Sequence, residues 1–428
     1  MRIGLISPKG RFISNIPAFT EFWNGSTYLS SYRQNWSGLS TALLVIAALT
    51  PPSRAIEIID ENIEELDFGK KYDLVAITAM TQQATRAYEI ADKYRTMGVK
   101  VIIGGLHATC LPTEAKQHAD SVVIGEVEYL WKSILNDFAC HQLKPLYKSH
   151  KVVDLKCSPA PRYDLIKEKK YSVVWVQTTR GCPHNCDFCA ASNIYGKKYR
   201  TKSSEQVINE IQQIQRFFPN AIIGFGEDNF LTKKDFYFPL LEKLANLRVR
   251  WMSQTDISIA LNDDLLQLIK RSGCIHLLIG LESLSTRNLD KIENNNWKLK
   301  QREHYAEYVS KIQSFGIGVL GSFIVGLEDD DMSTFDNISR FIEDTNLYSA
   351  QITIATPFPG TRLRARLEEQ CKLLATNWEN YTAFDVNFIH NSLSKEQMEN
   401  GVLGVYKTIY SQEVYLKKME YFKQIQKK

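Results

Sequence analysis

Residues 178–192 read TTRGCPHNCDFCAAS and follow the strand-like run YSVVWVQT at 171–178. Cys182, Cys186 and Cys189 fall within eight residues, spaced C-x3-C-x2-C. A closed [4Fe–4S] site takes four thiolates, one per iron, and a structural zinc site takes four ligands. This loop supplies three thiolates and no obvious local fourth. A cubane held by three leaves one iron open to an outside ligand, and open coordination separates reactive from structural metal sites. Two plainer accounts use the same residues: a metal knuckle completed by His184 or a distant cysteine, or three unrelated core cysteines.

With Phe188 directly before the third cysteine, the spacing resembles that of the radical S-adenosylmethionine (SAM) superfamily. The resemblance implies an open iron that chelates the amino and carboxylate groups of SAM. It also implies an electron transfer that cleaves the sulfonium and releases a 5′-deoxyadenosyl radical. Further strand-like runs at 221–225, 248–253, 276–279, 316–325 and 350–355 alternate with helical stretches near 202–218, 234–246, 263–272, 301–315 and 333–344. Together with 171–178 they predict a partial (β/α)6 barrel over residues 171–365. Sites in such folds collect at the carboxyl ends of strands, where loops converge on a rigid frame. Those ends read GEDN, QTD, GLES and GLED. A lone acidic residue after a strand is ordinarily solvated. Their order is what resembles a SAM site. On that resemblance Glu227 and Asp228, with Asn229 beside them, serve the SAM amino group, a carboxylate–ammonium pairing. Gln254, Glu282 and Ser283 serve the ribose and carboxylate, and Gly326 lies where the backbone cradles adenine.

The first 138 residues also alternate. Strand-like runs at 3–7, 55–60, 73–78, 99–103 and 121–124 are separated by helical patterns at 39–49, 82–97, from 112, and at 128–138. This alternation predicts a flavodoxin-like, doubly wound α/β domain whose ligands sit beyond the strands' carboxyl ends. Those ends carry TAMT (78–81), GGLH (104–107) and GEVE (125–128). Glycines there permit close backbone approach, although tight βα turns use them without any ligand. The run GGLHATCLPTE…HADSVVIGEVE resembles the cobalamin-binding domain that precedes many radical SAM domains. The resemblance makes Thr78, Gly104, Gly105, Gly125 and Glu126 candidate cobalamin contacts. The lower-ligand signature D-x-H-x-x-G is absent, so His107 is not assigned to cobalt.

Residues 139–170, with Pro159 and Pro161, read as a connector. Residues 366–428 read as a helical region, with Tyr406, Tyr410 and Val414 on one packed face. Cys110, Cys140, Cys157, Cys274 and Cys371 are scattered and read as small buried residues. A net charge of +4 is too small to argue for nucleic acid, and the longest apolar run, 41–50, is too short to span a bilayer. The expectation is a cytoplasmic protein served by a reducing donor such as flavodoxin or ferredoxin, with a small-molecule or peptide substrate. Three readings stay open. They are cobalamin-dependent methylation of an unactivated carbon, a corrinoid-free radical dehydration, cyclisation or rearrangement, and a non-catalytic metal-stabilised binding module.

Overall fold

The computed structural model describes residues 1–11, 13, 14, 16–26, 39–169, 171–290, 292, 293 and 295–426. Strands β1 (Arg2–Ser7), β2 (Ala55–Asp60), β3 (Leu74–Thr78), β4 (Lys100–Gly104), β5 (Ser121–Ile124) and β6 (Leu146–Lys148) form one sheet. Its order is β2-β1-β3-β4-β5-β6, and every pairing is parallel. The first five strands have the flavodoxin-like order that the alternation predicts. The sixth is a correction, because it comes from the stretch read as connector. Its three residues, exposed–buried–exposed, are too few to carry a periodic signal.

Successive strand residues point to opposite faces, and in this sheet both faces are buried. Ile3, Leu5, Leu74, Ala76 and Ile102 share a core with Phe19 and Trp23 of α1 (Pro17–Gly25) and Leu43 and Leu44 of α2 (Thr41–Leu49). Ile6, Val75, Ile77, Val101 and Ile103 pack with Ala87, Ile90 and Ala91 of α3 (Ala84–Thr96). The first of these cores continues without a break into the second sheet. Two short helices, α4 (Leu106–Cys110) and α5 (Pro112–His118), follow β4, and α6 (Trp131–Ala139) closes the unit.

The second sheet begins with β7 (Val173–Val176). The cysteine loop that follows is bracketed by an antiparallel pair, β8 (Thr179–Arg180) and β9 (Arg200–Thr201), with α7 (Ala190–Tyr195) between them. Strands β10 (Ile222–Phe225), β11 (Trp251–Thr255), β12 (Cys274–Glu282), β13 (Gly318–Val325) and β14 (Ser349–Ile354) then add one by one, all parallel. Helices α8 (Ser204–Phe217), α9 (Lys234–Ala245), α10 (Asp263–Arg271), α11 (Tyr305–Ser314) and α12 (Ser333–Asp344) fill the intervals. Among the described residues β7 and β14 do not pair, which is the open partial barrel expected. Strand β12 runs further than its sequence suggests, through Gly280 to Glu282, where a register shift and a φ of 62° turn the chain.

Beyond β14 lie α13 (Arg362–Glu369), α14 (Lys395–Ile409) and α15 (Gln412–Gln426). The Tyr406 hydroxyl accepts from the Ile352 amide at 3.0 Å, and Tyr410 bonds Ser349 at 2.7 Å. The helical region is therefore packed on the barrel, as its tyrosines suggest. The stretch between α13 and α14 also braces the first domain: Trp378 Nε1 donates to Glu114 at 2.8 Å, and its ring meets His107 edge-on at 4.9 Å. Three scattered cysteines correct the expectation of burial. Cys140, Cys157 and Cys371 are exposed, Cys274 is buried and Cys110 lies between. Cys140 and Cys371 sit just past the ends of α6 and α13, where the chain turns outward.

Candidate active site at the barrel mouth

The cysteine loop is fixed at each turn by a side chain from another element. Where it leaves β7, the Thr178 and Thr179 amides donate to the two Glu227 carboxylate oxygens at 2.5 and 2.6 Å, and the Thr179 hydroxyl bonds the same carboxylate at 2.5 Å. The Gly181 amide donates to Asp228 at 3.3 Å. Gly181 has φ of 90°, and a Cβ there would lie 2.5 Å from the Lys198 carbonyl oxygen, so only glycine fits. Asp256 lies 3.6 Å from His184. Between the second and third cysteines, Asp187 accepts from Arg362 at 2.7 Å and from Arg366 at 2.8 Å, both on α13. Arg362 also donates to the Asn185 carbonyl at 2.6 Å.

Cys182 and Cys186 are each 9% exposed. Burial pushes their thiols up to about 11 and about 12, and the neighbouring sulfurs add to the rise. Thiols held this way become thiolates only when positive charge arrives to offset them, and bound iron supplies it. Lys298, on the short helix Trp297–Gln301, is the nearby buried cation that acts in the same direction on both thiols. Among the described residues no three His, Cys, Asp or Glu groups converge on one ion. Cubane thiolates bind separate irons, so the loop does not need such convergence. The donor set fits a three-thiolate cluster, and His184, engaged with Asp256, is directed to a carboxylate.

The sequence-derived SAM residues divide into two groups. Asp228 is half-buried, its carboxyl raised by burial, and one of its oxygens has no partner among the described residues. Burial pushes Glu227 up to about 7, but its two oxygens are taken by the loop, so its carboxylate holds the cysteines rather than a ligand. Asn229 is consumed by Thr255 and Asp256. Burial raises the Asp256 carboxyl, and the His184 imidazole 3.6 Å away together with hydrogen bonds from Asn229 and Ser258 outweigh it, bringing it down to about 2. Gln254 donates to the Glu227 carbonyl. Glu282 forms a buried ion pair with Lys298 at 2.8 Å. Ser283 accepts from the Ser285 amide at 3.1 Å. Gly326, at φ 86°, starts a turn held by Asp330, which accepts from the amides of Gly326 and Leu327 at 2.8 and 2.9 Å. Phe188 packs against the main core.

On the first sheet, Thr78, Gly104 and Gly105 meet at one turn. A Cβ on Gly105 would lie 2.7 Å from Thr78 Oγ1 and 2.8 Å from the Ala79 backbone. Gly125 has φ of 79° and open space where a Cβ would point. Glu126 is redirected: it accepts from Arg180 at 2.5 Å and Arg200 at 2.8 Å, both on the cysteine side. Arg180, Arg200, Lys298 and Asp330 escape a sequence reading. Only Arg180, two residues before Cys182, carries a local hint.

An open six-stranded barrel with a three-cysteine loop at its mouth, preceded by a doubly wound ligand-type domain, is the build of a radical SAM protein with an accessory cofactor domain. Residues 176–342 match the radical SAM superfamily and residues 41–135 match the B12 binding domain, so the chain carries a radical SAM domain preceded by a B12-type domain. It is 29% identical over 385 residues to the bacteriochlorophyllide d C-8(2)-methyltransferase of Chlorobaculum tepidum, covering 86% of this chain and 85% of that one. It is 25% identical over 345 residues to the hopanoid C-2 methylase of Rhodopseudomonas palustris, covering 78% of this chain and 64% of the relative. Its fold is similar to the radical SAM methyltransferase TsrM from Kitasatospora setae, with TM-score 0.71, 13% identity, and 94% and 90% of the two chains covered. No helix among the described residues is long and apolar enough to cross a membrane.

Proposed function

We propose that this chain is a cobalamin-dependent radical SAM methyltransferase that acts on an unactivated carbon. The observation that carries the reading is the union, in one chain, of a three-thiol loop with no converging fourth ligand among the described residues and a B12-type domain whose strand ends meet that loop. When bound, the cluster supplies the electron that cleaves SAM, and the corrinoid carries the methyl group. The protein's own residues do the positioning. Cys182, Cys186 and Cys189 hold the irons. Asp228, a half-buried carboxylate with no cationic partner among the described residues, suits the SAM ammonium. Glu227, Asp256 and Arg362 keep the loop in place while SAM and substrate exchange. Gly125 and the Thr78–Gly104–Gly105 turn leave backbone close to whatever lies beyond the first sheet. The electron comes from a low-potential donor such as flavodoxin or ferredoxin, in a reducing compartment such as the cytoplasm. Relatives named as methyltransferases support methylation over other radical outcomes.

The test is anaerobic reconstitution with iron, sulfide and hydroxocobalamin, then metal analysis and a reduced SAM-cleavage assay. Stoichiometric cobalt with 5′-deoxyadenosine is expected. Deoxyadenosine from a protein that retains no cobalt would overturn the corrinoid part and leave a corrinoid-free radical enzyme. A closed four-ligand metal with no SAM cleavage would overturn both.

A further inference from the structure

Four charged side chains meet where the two domains touch. Glu126 and Glu128 lie on the loop after β5, and Arg180 and Arg200 lie on β8 and β9. Arg180 donates to Glu126 at 2.5 Å, to Glu128 at 2.6 Å and to Gln177 at 2.8 Å. Arg200 donates to both Glu126 oxygens at 2.8 and 3.0 Å. The connector is held in the same place: the Val153 amide donates to Glu126 at 3.2 Å, and Arg200 donates to the Val153 carbonyl at 2.8 Å. Side-chain exposure is only 6–13% across the four. By contrast Arg11–Glu379, also between the domains, is more than a third exposed on both sides and carries little.

Burying four charges is a poor way to gain stability, because apolar packing of the same volume does as well or better. What such a cluster provides is registry. Both acids come from the first domain and both bases from the second, so neither domain can satisfy its own pair. A sliding of the two would leave like charges together and a guanidinium unpaired. The node's place makes that registry matter. Glu126 directly follows Gly125, the open-fronted glycine at the carboxyl edge of the first sheet, and Arg180 precedes Cys182 by two residues.

We propose that Glu126, Glu128, Arg180 and Arg200 are positioning residues that set the cysteine loop against the ligand-facing edge of the first domain, and so fix the separation of the two cofactor sites. The inference rests on the reading of both edges as cofactor sites, but its test needs no corrinoid. In a Cys110→Ser/Cys157→Ser/Cys371→Ser background, the exposed Cys140 on the first domain carries a nitroxide. Pulsed EPR then measures its distance to the reduced iron–sulfur cluster, with circular dichroism as a check on folding. The parent should give one narrow distribution. Glu126→Gln/Glu128→Gln should broaden it about twofold or more, and Arg180→Lys, which keeps charge but loses the planar fork, should fall between. If the double variant does not fold, Arg180→Lys and Arg200→Lys decide alone. An unchanged distribution in the folded variants, even with a lowered melting temperature, would overturn the proposal by leaving the cluster a merely structural role. A parent that binds no hydroxocobalamin would sink the methyltransferase reading alone; broadening in the variants would still support the positioning role.

Discussion

At the barrel mouth each turn of the cysteine loop is tied by a side chain from a distant element, whereas at the matching edge of the first sheet the turns after β4 and β5 are shaped mainly by glycine backbone. The barrel edge has Glu227, Asp228, Asp256 and the α13 arginines on one short loop. The first edge has Gly105 packed against Thr78 and Ala79, and Gly125 facing open space. The difference follows from what each edge would hold. A cluster with one open iron demands thiolates fixed in mutual geometry, so supporting residues crowd around them. A broad, flat ligand is held by close backbone approach over a wide area, and there a side chain is an obstruction. The two acids on the loop after β5, Glu126 and Glu128, are turned away to bind the neighbouring domain.

The largest effect should come from the loop itself. Cys186→Ala removes one of three irons' anchors, and deoxyadenosine formation should fall by more than about 100-fold, beyond the range typical of supporting residues alone. Iron content and the reduced SAM-cleavage assay measure it. A variant that kept its iron and its cleavage would break the barrel side of the comparison.

The glycines sharpen the other side. Gly105→Ala both strains a positive φ and meets backbone at 2.8 Å, so it should cost about 3 kcal/mol in denaturant unfolding. Gly125→Ala has the strain without the clash and should cost about 1 kcal/mol. Its effect on hydroxocobalamin affinity should nevertheless be the greater of the two relative to its stability cost, because its front is open. Equal affinity for Gly125→Ala and wild type would mean that the open space is unused.

Glu227 gives the next smaller effect and a pH signature. Glu227→Gln puts an amide N–H against a backbone N–H, and should cost about 1–3 kcal/mol near pH 5. Because burial holds the wild-type carboxyl at about 7 instead of 4.5, the native state binds its proton more tightly than the unfolded chain between those values. Its contribution to stability is therefore full at low pH, declines as pH rises toward 7, and is flat above. The wild-type advantage over Glu227→Gln should narrow across that window in melting experiments. A constant gap would mean that the carboxyl is already ionised throughout.

These tests also mark where the sequence is informative. The cysteine spacing and both strand–helix alternations are local patterns, and both appear in the structure. The destination of a side chain is not local. Glu126 and Glu227 each follow a strand and Glu282 ends one, and nothing nearby in the chain says that their partners are Arg180, the Thr178–Thr179 turn and Lys298, the first of these 54 residues away. A polar residue at a strand end looks the same whether it awaits a ligand or braces a neighbour. Strand β6 failed to register because three residues carry no period, and the exposed cysteines because residue type says less than position past a helix end.

The two α13 arginines give the smallest effect and the finest division. Both reach Asp187, and their side chains are 42% and 45% exposed. Solvent screens such pairs, so Arg366→Ala should cost about 0.5 kcal/mol and leave iron content unchanged. Arg362 does more, since it also binds the Asn185 carbonyl inside the loop, between the first two cysteines. Arg362→Ala should therefore lower iron retention in a chelator challenge by about tenfold, with stability barely more affected than in Arg366→Ala. Equal retention in the two variants would show that α13 merely decorates the loop with surface charge, and that the cysteines are held from the barrel side alone.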